Sequence, residues 1–253
     1  MYLLGLIGFP LQHSFSQKYF TEKFLKEGIT DFQYKNFELL IIELLPEIIN
    51  QNKNIVGLNV TIPYKESIIK YIDHLDDTAR EINAVNTLVI KRNAKSYETY
   101  GFNTDVAGIA NTLDAIEQRI NGALVCGNGG ASKALQYVLT QKKIKHIVAS
   151  RSKTGSTIQY NELSPAILNE FNLIVNCTPV GTFPNVDEML PLPYTHFNKG
   201  NIFFDMVYNP TQTKSMLEAQ KYGATIINGY QMLIGQAEAA WKIWQKHIHQ
   251  VGN

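Results

Sequence analysis

The chain has 253 residues, of which 45% are hydrophobic and 18% charged, and its formal net charge is +1. That length allows one large domain or two of moderate size, each with a real core. The near-neutral balance argues against a nucleic-acid or membrane-surface partner, and no apolar run is long enough to span a bilayer.

Strand-like apolar runs and amphipathic stretches alternate almost throughout. Residues 1–14 have no basic region and their apolar run breaks at Pro10. Residues 3–7 therefore read as a first strand, not as part of a signal peptide. Phe20, Phe24 and Leu25 make the apolar stripe of a first helix. Strands are expected at 32–37, 55–60 and 84–90. After the second of these, Pro63 suits the first turn of a helix, where its missing N–H is no loss. Lys65 then falls in that first turn, the positive end of the helix dipole, where a cation is disfavoured. Another reason is needed for a lysine there, and proton transfer is one.

Val106, Ile109, Leu113 and Ile116 form a second stripe. The rhythm restarts at the Asn121-Gly122 turn, with strands expected at 123–126, 146–149, 173–177, 202–204 and 224–227. Leu135, Val138 and Leu139 mark a helix among them. About 22 residues separate Ser150 from Leu173, holding a strand-like piece at 156–160 and a helix candidate near 164–170. They have room for one parallel crossover, not two. A last helix near 230–247 carries Leu233, Ile234, Ala237, Ala240, Trp241 and Trp244, a broad face expected to return to the first domain. This rhythm implies an α/β protein with mostly parallel sheets covered by helices.

Cys126 and Cys177 lie 51 residues apart, with no CxxC and no histidine at ligand spacing. They read as reduced, buried thiols of a cytoplasmic protein. His247 and His249 would point to different faces of a helix, so no metal site is expected.

Several polar residues admit two readings. Gly127-Asn128-Gly129-Gly130-Ala131-Ser132 follows a strand and opens a helix, the setting in which a glycine-rich turn holds a dinucleotide pyrophosphate. A tight βα turn is the alternative. Ser150-Arg151-Ser152-Lys153 ends the next strand without an acidic residue, which suits a ribose 2′-phosphate and hence NADP. A solvated basic turn is the alternative. Ser16 is a simple helix N-cap, or Ser14 and Ser16 hold a carboxylate with the helix N–H groups. Asn59 and Thr61 at one strand end, and Asn86 at the start of another, either close their strands or bind a ligand. Asp105 is electrostatically welcome at the start of the Val106 helix as a cap alone. Gln236 in the last helix defaults to a surface amide.

Taken together and in order, these residues resemble the shikimate dehydrogenase family along nearly the whole chain. Gly8-Phe9-Pro10-Leu11-Gln12-His13-Ser14-Phe15-Ser16 resembles its N-terminal serine motif, and Asn59-Val60-Thr61-Ile62-Pro63-Tyr64-Lys65 its lysine motif. Gly101-Phe102-Asn103-Thr104-Asp105 resembles its aspartate motif, and Ser150-Arg151-Ser152 its Asn-Arg-Thr phosphate motif. Asn176-Cys177-Thr178-Pro179-Val180-Gly181, Asp205-Met206-Val207-Tyr208-Asn209-Pro210 and the stretch from Gly229 to Gln236 resemble later signatures.

The resemblance implies reversible, NADP(H)-dependent reduction of 3-dehydroshikimate to shikimate, a step of aromatic amino-acid biosynthesis. It implies a substrate domain over 1–105, completed by a helix over 228–253, and a Rossmann-like NADP-binding domain over 106–227, with a cleft between them. Ser14 and Ser16 would bind the substrate carboxylate, and Asn59, Thr61, Asn86 and Gln236 its hydroxyls. Lys65 and Asp105 would form the catalytic pair, with Tyr208 bordering substrate and nicotinamide. Gly127, Asn128, Gly129, Gly130, Ala131, Ser150, Arg151, Ser152, Gly229 and Met232 would hold the cofactor. The expected partners are small molecules, with no nucleic acid and no membrane, and the chain is expected as a monomer or homodimer.

Asn128, Ser150, Ser152 and the short stretch after Arg151 depart from the family pattern on the adenosine side. The competing readings are a quinate/shikimate dehydrogenase that also uses NAD, a non-catalytic sensor on the same scaffold, and a folate-linked dehydrogenase. The absent acidic ribose ligand speaks against the first, the presence of both Lys65 and Asp105 against the second, and the paired serines with the Asn–Thr–Lys spacing against the third.

Overall fold

The structure is a computed structural model describing residues 1–11, 14–94, 96–151, 155 and 157–249. The first part of the chain runs β1 (Tyr2–Gly8), α1 (Phe15–Glu27), β2 (Phe32–Glu38), α2 (Leu45–Gln51), β3 (Ile55–Val60), β4 (His74–Leu75), α3 (Asp77–Ile82), β5 (Thr87–Arg92) and β6 (Tyr97–Phe102). The remainder runs α4 (Asp105–Asp114), β7 (Ala123–Cys126), α5 (Gly130–Gln141), β8 (His146–Ser150), β9 (Ile158–Gln159), α6 (Pro165–Glu170), β10 (Leu173–Asn176), β11 (Ile202–Asp205), α7 (Lys214–Lys221), β12 (Thr225–Ile227) and α8 (Tyr230–His249).

The chain divides into two compact units, Met1–Thr104 with Ala237–Asn253, and Asp105–Gln236. Compact packing of the second unit thus begins at Asp105 and extends into α8, beyond residue 227, because Gly108 of α4 lies against the backbone of Met232 and Gln236.

In the first unit the sheet is ordered β2-β1-β3-β5-β6-β4. β1 is parallel to β2 and β3, whereas β5 runs antiparallel to β3 and β6. The sheet is mixed because β5 and β6 join through a hairpin, closed by Asn93 N–H on Ser96 O, and not through a crossover helix. Apolar runs do not flag β6, whose Tyr-Glu-Thr-Tyr alternation half-exposes it. The strand expected from residue 84 starts at Thr87.

One face of this sheet packs Leu4, Leu6 and Val89 against Phe20 and Phe24 of α1 and Trp241 and Trp244 of α8. A Cβ on Gly57 would stand 2.2 Å from the indole nitrogen of Trp244, so only glycine lets that ring reach across and donate to Leu88 O at 2.8 Å. Leu25 is 85% exposed and leaves the expected stripe. At about 100° per residue it lies a quarter-turn past Phe24, on the solvent side. The opposite face buries Ile7, Ile49, Ile55, Leu58, Ile68 and Leu88.

In the second unit the sheet is ordered β12-β11-β10-β7-β8-β9 and every pairing is parallel. The winding reverses at β7, between β8 and β10, which is the doubly wound order whose ligand crevice opens beyond the carboxyl ends of the strands at the reversal. Across 151–172 the described crossover helix is α6.

Candidate active site

The first unit gathers its polar side chains at one end of its sheet. β1 and β3 finish there, β6 runs out into Asn103 and Thr104, and antiparallel β5 starts there, with Asn59 opposite Thr87 and Thr87 opposite Phe102. Asn59 and Asn86 are buried at 3% and 2% exposure. Asn59 Nδ2 donates to Thr87 Oγ1 at 3.2 Å and to Asn86 O at 3.4 Å. Asn86 Oδ1 accepts from Thr104 N–H at 2.7 Å and from the hydroxyls of Thr104 and Thr87, each at 3.0 Å. Neither asparagine merely closes a strand: together they tie three strands and anchor Thr104, the residue before Asp105.

Ser14, not Ser16, occupies the N-cap position of α1, and its side chain makes no capping bond. Its Oγ is buried and has no hydrogen-bond partner among the described residues, a costly state for a polar atom that a ligand would relieve. Ser16 lies within the helix and is buried. The N-cap reading of Ser16 is therefore corrected. The neighbouring Gln12 and His13 lie outside the described residues.

Lys65 is also placed differently from expectation, since no α-helix follows Pro63. Tyr64 N–H closes a turn on Thr61 O at 2.9 Å, and the Tyr64 hydroxyl is anchored on Leu39 O at 2.5 Å. The next residue driven into the core is Ile68, in a short 3-10 turn over Ser67–Tyr71. Lys65 lies in a single turn closed by Ile68 N–H on Tyr64 O at 3.0 Å, just before that 3-10 turn, and with no α-helix there the helix-dipole reasoning for it lapses. Backbone pairing holds it instead: Lys65 O accepts from Val85 N–H at 2.7 Å, one residue before Asn86.

In the second unit, Gly127 follows β7 with φ +108°, and a Cβ there would stand 2.7 Å from Thr178 Cγ2, beyond β10. Gly129 is the N-cap of α5, offers no side-chain cap, and has open space where a Cβ would lie. Gly130 and Ala131 begin the helix, so its first-turn N–H groups are flanked by two glycines and an alanine. Those surroundings fit a pyrophosphate. Asn128 is exposed, and Ser132, buried, takes a bond from Gln136 Nε2 at 3.1 Å. Ser150 Oγ bonds Thr157 Oγ1 at 3.4 Å, and Arg151 beside it is exposed. An exposed guanidinium at the end of β8 fits a 2′-phosphate. Ser152 lies outside the described residues.

Asp105 opens α4 at 3% exposure. Gln236 is buried at 8%, not a surface amide, because its helix is pressed against Gly108; its Nε2 bonds Leu233 O at 3.1 Å. Met232 is buried in the same turn. Tyr208 follows β11 and is half-buried. Its segment is held from two sides. Gly229 N–H donates to Val207 O at 3.1 Å, and a Cβ on Gly229 would stand 2.1 Å from Met206 O. Asp205 accepts from Asn176 Nδ2 at 2.9 Å, Val207 N–H at 3.0 Å and the Thr213 hydroxyl at 2.6 Å. Burial pushes the Asp205 carboxyl up to about 6, against the pull of those bonds.

Cys126 and Cys177 are free thiols, and burial pushes Cys126 well above the ordinary thiol range. Sequence alone does not single out Tyr34, Thr87, Thr104 or Asp205. Each occupies a position within or beside a strand where a core residue is the default, and only the pairing of strands reveals its partners.

Residues 6–88 match the family described as the shikimate dehydrogenase substrate binding domain. A shikimate dehydrogenase (NADP(+)) of Methanococcus vannielii is 34% identical over 264 residues, covering 96% of this chain and 90% of that protein. Among solved structures, a shikimate dehydrogenase in complex with NADP+ superposes with a TM-score of 0.83 at 32% identity, covering 96% of this chain and 90% of that one. A shikimate 5-dehydrogenase of Thermus thermophilus in complex with NADP(H) and shikimate gives 0.83 at 27% identity, over 96% and 93%. Similarity at this level over 96% of this chain and 90% or more of those proteins places the chain in the shikimate dehydrogenase family.

Proposed function

We propose that the protein catalyses the reversible NADPH-dependent reduction of 3-dehydroshikimate to shikimate, within aromatic amino-acid biosynthesis. It is an NADP-dependent oxidoreductase. The observation that carries this reading is the buried polar end of the first sheet, Asn59 and Asn86, with Ser16 buried in α1, in a chain that matches NADP-dependent relatives over 96% of its length. Residues 1–105 with 228–253 are the proposed substrate domain and 106–227 the proposed cofactor domain. Among the described residues no helix is long and apolar enough to cross a membrane. Free cysteines fit a cytoplasmic location.

The nicotinamide, when bound, supplies the hydride. The chain's own task is to orient the carbonyl and deliver a proton to its oxygen. Lys65 is the proposed proton donor in reduction and acceptor in oxidation, with Asp105 holding its ammonium in place. Ser14 and Ser16 are proposed for the carboxylate, and Asn59, Thr61, Asn86 and Gln236 for the ring hydroxyls, with Tyr208 bordering substrate and nicotinamide. Gly127 to Ala131 would seat the pyrophosphate, and Ser150, Arg151 and Ser152 the 2′-phosphate, with Gly229 and Met232 near the nicotinamide. No acidic residue stands between Ser150 and Gly155 to favour a free 2′-hydroxyl.

The test is NADPH consumption by the purified chain with 3-dehydroshikimate, repeated with NADH and with shikimate or quinate in the oxidation direction. NADPH and 3-dehydroshikimate should be the best pair. Absence of turnover with that pair would refute the assignment.

A further inference from the structure

Tyr34 stands on β2 at 3% exposure, and its hydroxyl bonds a residue proposed to bind the substrate. It donates to Asn59 Oδ1 at 2.8 Å, and the Ser16 side chain acts on the same phenol, opposing the effect of burial. The ring cannot wander. It stacks on Phe20 at 4.6 Å and 13°, and Trp244 leans on it at 6.4 Å. Burial pushes the phenol well above its ordinary range, with Ser16 opposing, so the proton that reaches Asn59 stays in place.

The consequence is a fixed amide. Tyr34 demands an acceptor, so Oδ1 of Asn59 must face it, and Nδ2 must face Thr87 and Asn86. Both amide protons are then committed, and the remaining capacity of Asn59 is a lone pair on Oδ1. A lone pair accepts from a hydroxyl and rejects a ketone oxygen. Asn59 is thereby suited to a ring hydroxyl that stays a hydroxyl through the reaction, not to the carbon being oxidised.

We propose that Tyr34 is a positioning residue for the substrate: its hydroxyl sets the spacing of Ser16 and Asn59 and the direction of the Asn59 amide, so that carboxylate and ring hydroxyl are bound by one buried network. This rests on the proposed function and on the roles given there to Ser16 and Asn59. Removing the hydroxyl leaves Oδ1 without its donor and frees the amide to turn. Binding of shikimate is damaged, while the cofactor is untouched.

The experiment is Tyr34→Phe, which keeps the ring and its stacking, measured by steady-state kinetics in the oxidation direction beside a thermal melt. KM for shikimate should rise about tenfold or more, the size expected when a buried hydrogen-bonding partner is lost. KM for NADP+ should stay within about twofold and kcat within a few-fold, a split that a merely structural role would not produce. In combination with Ser16→Ala, the double variant should lose less than the product of the two single losses. Should Tyr34→Phe fail to fold, Thr87→Val frees the same amide from its other end and should raise KM for shikimate alike, with Thr87→Ser restoring it. An unchanged KM for shikimate in a folded Tyr34→Phe or Thr87→Val, or equal rises for both substrates, overturns the proposal. A wild-type chain that fails to oxidise shikimate refutes instead the function on which it rests, so the two failures are told apart.

Discussion

Replacing Gly108 by alanine puts two opposed effects in direct competition. Gly108 sits inside α4, where alanine is the better helix former by about 0.8–1.0 kcal/mol. Propensity alone therefore predicts a stabilised protein. The tertiary structure predicts the reverse, because a Cβ at 108 would stand 2.3 Å from Met232 O and 3.1 Å from Gln236 N. An ordinary carbon–oxygen contact begins near about 3.3 Å, so the helices must part by about 1 Å. The obstacle is backbone, and no side-chain rotation relieves it. Overpacking of this kind costs about 1–3 kcal/mol, and the lack of an escape puts it at the upper end. The net expectation is a loss of about 2 kcal/mol, or about 4–8 °C in Tm for a unit of this size.

The same displacement moves Met232 and Gln236, and a 1 Å misplacement can cost about 10²-fold in rate. Thermal melts and kcat/KM for shikimate should therefore fall together. Gly235→Ala, whose Cβ would meet Gly108 Cα at 3.0 Å, should show the milder form of both losses. A Gly108→Ala protein that melts at or above the wild-type temperature with unchanged kcat/KM would refute the reasoning.

Lys65→Met should lower kcat by about 10²–10⁴-fold with little change in KM, the range for a general acid–base group; a variant with near-wild-type kcat removes Lys65 from the proton path. Arg151→Ala should raise KM for NADPH and leave KM for NADH nearly unchanged, because only the former carries the 2′-phosphate; equal losses with both cofactors would exclude that contact. Asp205, with its carboxyl raised to about 6, binds a proton more tightly folded than unfolded. Its contribution to stability is therefore greatest below the unfolded value near about 3.9 and is lost as pH rises toward about 6, by about 3 kcal/mol at most. Urea unfolding of wild type and Asp205→Asn between those limits should give a difference that changes with pH in that sense. A difference that is flat with pH would show that Asp205 does not titrate there.

Much of this protein was legible in the chain itself, for local reasons. The second unit's βαβ rhythm shows because each of its central strands is buried on both faces and reads as an unbroken apolar run, as in 123–126 and 173–176. The glycine loop shows because backbone close to a ligand and a positive φ leave few residue choices at Gly127 and Gly129. The motifs around Ser14, Asn59, Lys65 and Asp105 show because their residue types and spacing survive as a string.

What the string lacks is partners. Whether Gln236 is a surface amide and what holds Lys65 were each decided by contacts between segments far apart in sequence. Helix packing on Gly108 buries Gln236, the Tyr64 hydroxyl on Leu39 O and the Lys65 carbonyl on Val85 N–H hold the Lys65 segment, and strand pairing sets Asn59 beside Thr87. Tyr34 is the clearest case: in sequence it is one aromatic in a strand, and only the tertiary structure reveals its hydroxyl on Asn59 Oδ1. Local propensity and motif spacing determine which residues carry chemistry. Long-range burial decides what each polar group must bond to, because an unpaired one in the core costs more than most local preferences are worth.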